Sequence, residues 1–160
     1  MLTVLLVRPG ATEFDQQGRI QGTLDIPLCE DGRRQTRESL DGLVAAEPEF
    51  VYTSPCEAAK QTGELIAQAA GIKQKVMPKL ANLDHGLWQG MLVEEVRDKQ
   101  PKVYRQWREN PETVRPPDGE PISGAKARVT DVLRRLQKST KRGPSRSSSP
   151  SPSPASSVTC

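Results

Sequence analysis

Apolar residues fill positions 1–7 with only Thr3 interrupting, and the run breaks abruptly into Arg8-Pro9-Gly10-Ala11-Thr12. A short apolar run closed by turn residues predicts a buried strand ending in a tight loop, where α/β proteins place anion sites. The next segment, with Gly18, Gly22 and Pro27, reads as irregular surface chain. A helix is expected to start near Asp31, to place Leu40, Leu43 and Val44 on one face, and to stop before Pro48. Phe50-Val51-Tyr52-Thr53 predicts a second strand. Ser54-Pro55 opens a helix with Ala58, Ala59, Thr62, Leu65, Ile66 and Ala69 as its inward stripe and Gly71 as its stop. Residues 73–77 read as a third strand. Strands alternating with helices in this order predict an α/β fold with a mainly parallel sheet.

Beyond the third strand the pattern weakens. Residues 80–90 form a loop around Trp88 between Gly86 and Gly90, and two short helices are expected at about 92–99 and 101–108. Residues 115–121 are a rigid, proline-rich connection. Ser123 then caps a helix whose inner face is Val129, Val132, Leu133 and Leu136. From Gly143 onward 12 of 18 residues are Ser or Pro, which leaves nothing to bury. The expected division is one domain over residues 1–142 and a disordered tail over 143–160.

Charge changes the picture only when divided. Six of the 23 basic residues lie from Arg134 onward, where no acid occurs; residues 1–133 therefore carry 17 bases against 20 acids. A mildly acidic body argues against nucleic-acid binding, which shows a basic face on the domain. Arg146 to Pro154 is similar to an arginine/serine segment, but lacks a regular repeat or an aromatic residue and reads as a low-complexity linker. Three cysteines (Cys29, Cys56, Cys160) and one histidine at irregular spacing exclude a disulfide framework and a zinc site. No cofactor motif, signal segment or membrane span is found, so a reducing cytoplasm is the expected setting.

Four pieces in order resemble the histidine phosphatase superfamily, with its phosphoglycerate mutase-like, three-layer α/β/α fold. The first is Val7 to Thr12 with Gly18-Arg19, Gln21-Gly22, Asp25, Pro27-Leu28 and Gly32; the second is Thr53-Ser54-Pro55 with Gln61-Thr62 and Glu64. The third is Leu80 through Gly86, Trp88 and Gly90, and the fourth is Pro117-Asp118-Gly119-Glu120. The resemblance covers residues 2–136.

The same resemblance exposes departures. The family's nucleophilic histidine falls at Pro9, which has neither a nucleophile nor a backbone N–H. A family phosphate-binding arginine falls at Ala58, and the family's acid falls at Asn82, which has no ionisable proton. The final family strand, which ends in a second histidine and lies beside the first strand, has no counterpart by pattern. Its absence predicts an exposed apolar sheet edge and a marginal fold, unless a protein partner covers that edge. His85, the one histidine, reads as a loop hydrogen-bonding residue. Cys29 and Cys56 lack an arginine six residues on, so a cysteine-phosphatase loop is excluded.

What the resemblance leaves of a phosphate site is Arg8, Thr12 and Arg19. Two readings of Arg8 stand side by side: an anion ligand, or a cation now paired with Asp15, Asp84 or another acid. The expected function is a catalytically inactive relative retaining weak binding of a phosphorylated small molecule. The alternatives are an active phosphomonoester hydrolase or mutase with another nucleophile, and a protein-interaction module. The tail has its own alternative. Codons for Arg146 to Pro150 can be chosen so that a shifted frame reads Leu-Val-Val-Pro, the apolar strand the fold requires. The gene sequence tests this: an apolar segment in another frame from about codon 144 is expected, and its absence removes the idea.

Overall fold

The computed structural model describes residues 2–141 and 156–159. A four-stranded sheet, parallel throughout, is built from β1 (Thr3–Leu6), β2 (Pro48–Thr53), β3 (Lys73–Val76) and β4 (Ser156–Thr159), in the order β1-β4-β2-β3. The helices are α1 (Glu13–Gln17), α2 (Glu30–Glu38), α3 (Leu40–Ala45), α4 (Glu57–Ala70), α5 (Val93–Lys99), α6 (Pro101–Glu109) and α7 (Ile122–Lys141).

The sheet corrects one expectation. The place between the first strand and the rest is not vacant, because Ser156–Thr159 pairs with β1 on one side and β2 on the other. A segment poor in apolar residues can serve there because an inner strand is held by backbone hydrogen bonds on both edges. The boundary at residue 142 therefore does not separate all of the tail from the sheet. The rest of the expected disordered stretch, 143–155 with 160, lies outside the described residues. Apolar exposure falls elsewhere: Leu6 is 86% exposed, and Val4 and Phe50 about two-fifths. Strand alternation and register put Val4, Leu6, Phe50 and Tyr52 on one face of the sheet.

The opposite face is covered. Val51, Ile66 and Ala67 form its buried centre, with Leu5, Val7, Leu40, Leu43 and Ile72 packed around them. Each fully buried aliphatic side chain contributes about 1.5–3 kcal/mol, so this cluster fixes α3 and α4 against the sheet beside the loop that follows β1. A second cluster, Ile20, Trp88, Val96 and Val114, joins the segment after α1 to α5 and α6.

Local differences from the sequence pattern have local causes. Residues 13–17 form a helix because Thr12 caps it: the Thr12 hydroxyl accepts from Asp15 N, and the Asp15 carboxylate accepts from Thr12 N. The single helix expected after Asp31 is two helices meeting at Ser39. Its cap is Cys29, whose sulfur accepts from Gly32 N, in place of Asp31. Ile122 begins the last helix one residue before the expected cap, Ser123. Within it Val132 and Leu136 are buried, but Leu133 is 38% exposed.

The third and fourth sequence motifs meet through one arginine. Arg128 on α7 bridges both Glu120 oxygens at 2.9 and 2.8 Å, and donates to the carbonyls of Lys79, Ala81 and Asn82. Glu120 N in turn donates to Asp84 O at 2.8 Å. Gly86 lies where a Cβ would meet the Pro117 carbonyl oxygen at 2.0 Å, with φ at +51°, so only glycine fits this junction.

The Glu120 carboxyl is held below its usual range, chiefly by its hydrogen bond from Arg128. Its contribution is therefore complete above the unfolded value of about 4.5 and is lost as pH falls through the lowered folded value. Both side chains are about one-fifth exposed, which places the pair below the 3–5 kcal/mol of a fully buried one. Arg128→Ala is expected to cost about 2–3 kcal/mol in urea unfolding, and Arg128→Lys to recover less than half, because an ammonium cannot bridge a carboxylate.

Candidate functional site: the loop after the first strand

The loop at the end of β1 is fixed by contacts that do not involve residue 9. Gly10 N donates to Thr62 Oγ1 at 3.2 Å, and Ala11 N donates to Gln35 Oε1 at 3.2 Å. Cys29 N donates to Ala11 O at 3.0 Å. A Cβ on Gly10 would meet the Gly32 carbonyl oxygen at 2.3 Å, so the loop lies directly on the backbone of α2. Proline at position 9 costs this arrangement nothing. It does remove a donor, and the next two N–H groups are already engaged. The loop is therefore not a cradle of free backbone donors, and an anion here must rely on a side chain.

That side chain is Arg8. Its guanidinium pairs with Asp15 Oδ1 at 3.3 Å, and the Arg8 side chain is 87% exposed. A pair this open is worth at most about 1 kcal/mol, so an external anion can compete for the arginine. The second Asp15 oxygen receives Thr12 N and the Thr12 hydroxyl, both at 2.8 Å. The capping box that builds α1 thus also aims the carboxylate at Arg8.

Beside the loop lies a cleft of about 370 Å³, between the end of β1, the α2–α3 junction and the middle of α4. Of the six residues singled out by resemblance, Arg8 and Pro9 line it; Thr12, Arg19, Ala58 and Asn82 do not. Thr12 is buried and occupied with Asp15. Arg19 donates from Nε to Gln17 at 2.8 Å and from a terminal nitrogen to Gly90 O at 2.7 Å, fastening the first motif to the third. Ala58 is buried in the first turns of α4. Asn82 is exposed, and its Oδ1 accepts from Leu83 N at 2.8 Å.

Other cleft residues carried weaker signals. Thr62 was visible as a hydroxyl within the apolar stripe of α4; Thr36, Ser39 and Gln35 sit on a helix whose sequence pattern is mostly polar and so gave none. The Thr36 hydroxyl donates to Gly32 O at 2.9 Å and the Ser39 hydroxyl to Gln35 O at 3.0 Å. Asp15 is the one ionisable acid or base beside Arg8 in the lining. His85 does not line the cleft. Its ring packs edge-on against Trp107 with centroids 5.8 Å apart, and burial lowers its pKa from the usual 6.5 against the raising influence of Asp84. Among the described residues no group of three His, Cys, Asp or Glu side chains could hold a metal ion, and no helix is long and apolar enough to cross a membrane.

In open parallel α/β sheets ligands bind at the carboxyl ends of the strands, where the Arg8 loop lies. The family model described as Histidine phosphatase superfamily (branch 1) matches residues 4–144. The chain belongs to that superfamily. It is 34% identical over 138 residues to Phosphoserine phosphatase 1 of Hydrogenobacter thermophilus, covering 86% of this chain and 65% of that protein. It is 32% identical over 133 residues to a protein of Enterobacter sp. named "Probable phosphoglycerate mutase GpmB", covering 83% of this chain and 62% of the relative. The chain thus spans less than two thirds of the length of either curated relative. Among solved structures, it superposes on mycobacterial glucosyl-3-phosphoglycerate phosphatase in complex with VO3, with a TM-score of 0.83 and 26% identity, over 96% of this chain and 72% of that one. The relatives are phosphatases and mutases by name.

Proposed function

We propose that this chain is a non-catalytic member of its family that holds a phosphate ester or a similar anion at Arg8 without transferring the phosphoryl group. The observation that carries the reading is Pro9. It stands next to the one cation of the cleft, where the resemblance calls for the nucleophile. Losing a covalent nucleophile costs up to about 10⁶ in rate in other enzymes, and losing a general acid, which the resemblance places at Asn82, costs roughly 10²–10⁴ on its own. In this reading Arg8 is the contact residue. Thr12 positions Asp15, and Arg19 positions the Gly90 loop.

A second reading, an active phosphomonoester hydrolase, is favoured by the names of the relatives. It needs a nucleophile other than residue 9, and the cleft offers the hydroxyls of Thr36, Ser39 and Thr62 and the carboxylate of Asp15. Thr36 and Ser39 are committed to backbone carbonyls, and Asp15, the one carboxylate of the cleft, is taken by Arg8 and Thr12.

Hydrolysis of p-nitrophenyl phosphate separates the two. The expected result is no release of p-nitrophenol above that of the Arg8→Ala variant purified in parallel. Turnover that co-purifies with the chain and disappears in Arg8→Ala overturns the proposal.

A further inference from the structure

The cleft beside Arg8 is larger than a phosphate group needs, and its composition says what the rest of a ligand is made of. Arg8 and Asp15 are its one cation and one anion, so the lining is neutral. Half-buried Val7 and Leu43 supply apolar side chains, backed by the fully buried Ile66 of the same cluster that packs α3 and α4 onto the sheet. The hydroxyls give little to a polar ligand, since Thr36 and Ser39 spend their protons on the carbonyls of Gly32 and Gln35. Thr62 accepts from Gly10 N, which leaves its own hydroxyl hydrogen to donate.

We infer that the cleft takes a small amphiphilic anion: an acidic head group at Arg8 and a short aliphatic body over Val7 and Leu43. This rests on the reading that Arg8 binds an anion non-covalently, and it specifies the ligand class for that site. A polyhydroxylated body would set hydroxyls against these apolar side chains, with the exposed Gln35 amide as the main neutral polar group left to meet them, at a cost of about 1–3 kcal/mol for each left unpaired. An aliphatic body gains from the same surface. The volume, about 370 Å³, is at the small end of the range of roughly 300–1,000 Å³ for ligand cavities, which suits a short chain. A head group of low charge fits best, because a single arginine with a carboxylate beside it cannot balance a dianion.

The test is a titration of the full chain, followed by amide NMR shifts, with inorganic phosphate, glycerol 3-phosphate, butyl phosphate, hexyl phosphate and hexanoate. Each buried methylene is expected to tighten binding about two- to fourfold, so hexyl phosphate should bind at least about fourfold more tightly than butyl phosphate. Glycerol 3-phosphate should bind no better than inorganic phosphate. Hexanoate should bind at least as well as hexyl phosphate, and Arg8→Ala should weaken every member of the series. Leu43→Ser, which shortens the apolar wall, should shrink the hexyl-over-butyl gain. Binding that depends on Arg8 but not on chain length, or favours glycerol 3-phosphate, overturns the inference while leaving the anion-binding reading intact. No Arg8-dependent binding of any member overturns both.

Discussion

The contact on which the site depends is the backbone-to-backbone approach of Gly10 to Gly32. With 2.3 Å between a hypothetical Gly10 Cβ and the Gly32 carbonyl oxygen, no side chain can enter at position 10. The loop after β1 is pressed onto α2, and the Thr62 hydroxyl and Gln35 amide consume its next two N–H groups. Two consequences follow. The loop keeps its shape whatever stands at position 9, so proline is structurally harmless there. The backbone has also given up the donors that would cradle a phosphate, so the proposed anion contact rests on Arg8 alone.

The separation between scaffold and chemistry explains why the family was legible and the activity was not. Motif residues that stay in place do so by tying elements together. The Gln61 side chain accepts from Leu28 N and Arg33, joining the second motif to the first. Arg19 binds the Gly90 carbonyl, and Arg128 gathers Glu120 with three carbonyls before Leu83. The side chains of Pro9, Ala58 and Asn82 make no such ties: the first is a ring without a polar atom, the second a small buried methyl, and the third accepts from its own neighbour. Their side chains could change without disturbing the fold.

The features hidden in the sequence are those that local pattern cannot encode. Ser156–Thr159 has no apolar alternation to advertise a strand; its place comes from the slot between β1 and β2. The five residues of α1 are too few for periodicity, and only the pairing of Thr12 with Asp15 betrays them. The cleft draws on residues 7–15, 35–43 and 62–66, three segments whose meeting is set by the packing of α3 and α4. The sequence leaves the partner of Arg8 open among Asp15, Asp84 and other acids, and geometry chooses Asp15.

In a non-catalytic chain no residue accepts a phosphoryl group at the Arg8 loop. Rapid acid quenching of the full chain with a reactive phosphoryl donor such as acetyl phosphate, followed by intact-protein mass spectrometry, tests it most directly. Unmodified protein is expected at every time point. A phosphoryl adduct that forms and decays, maps to a side chain lining the cleft and is lost in Arg8→Ala would contradict it.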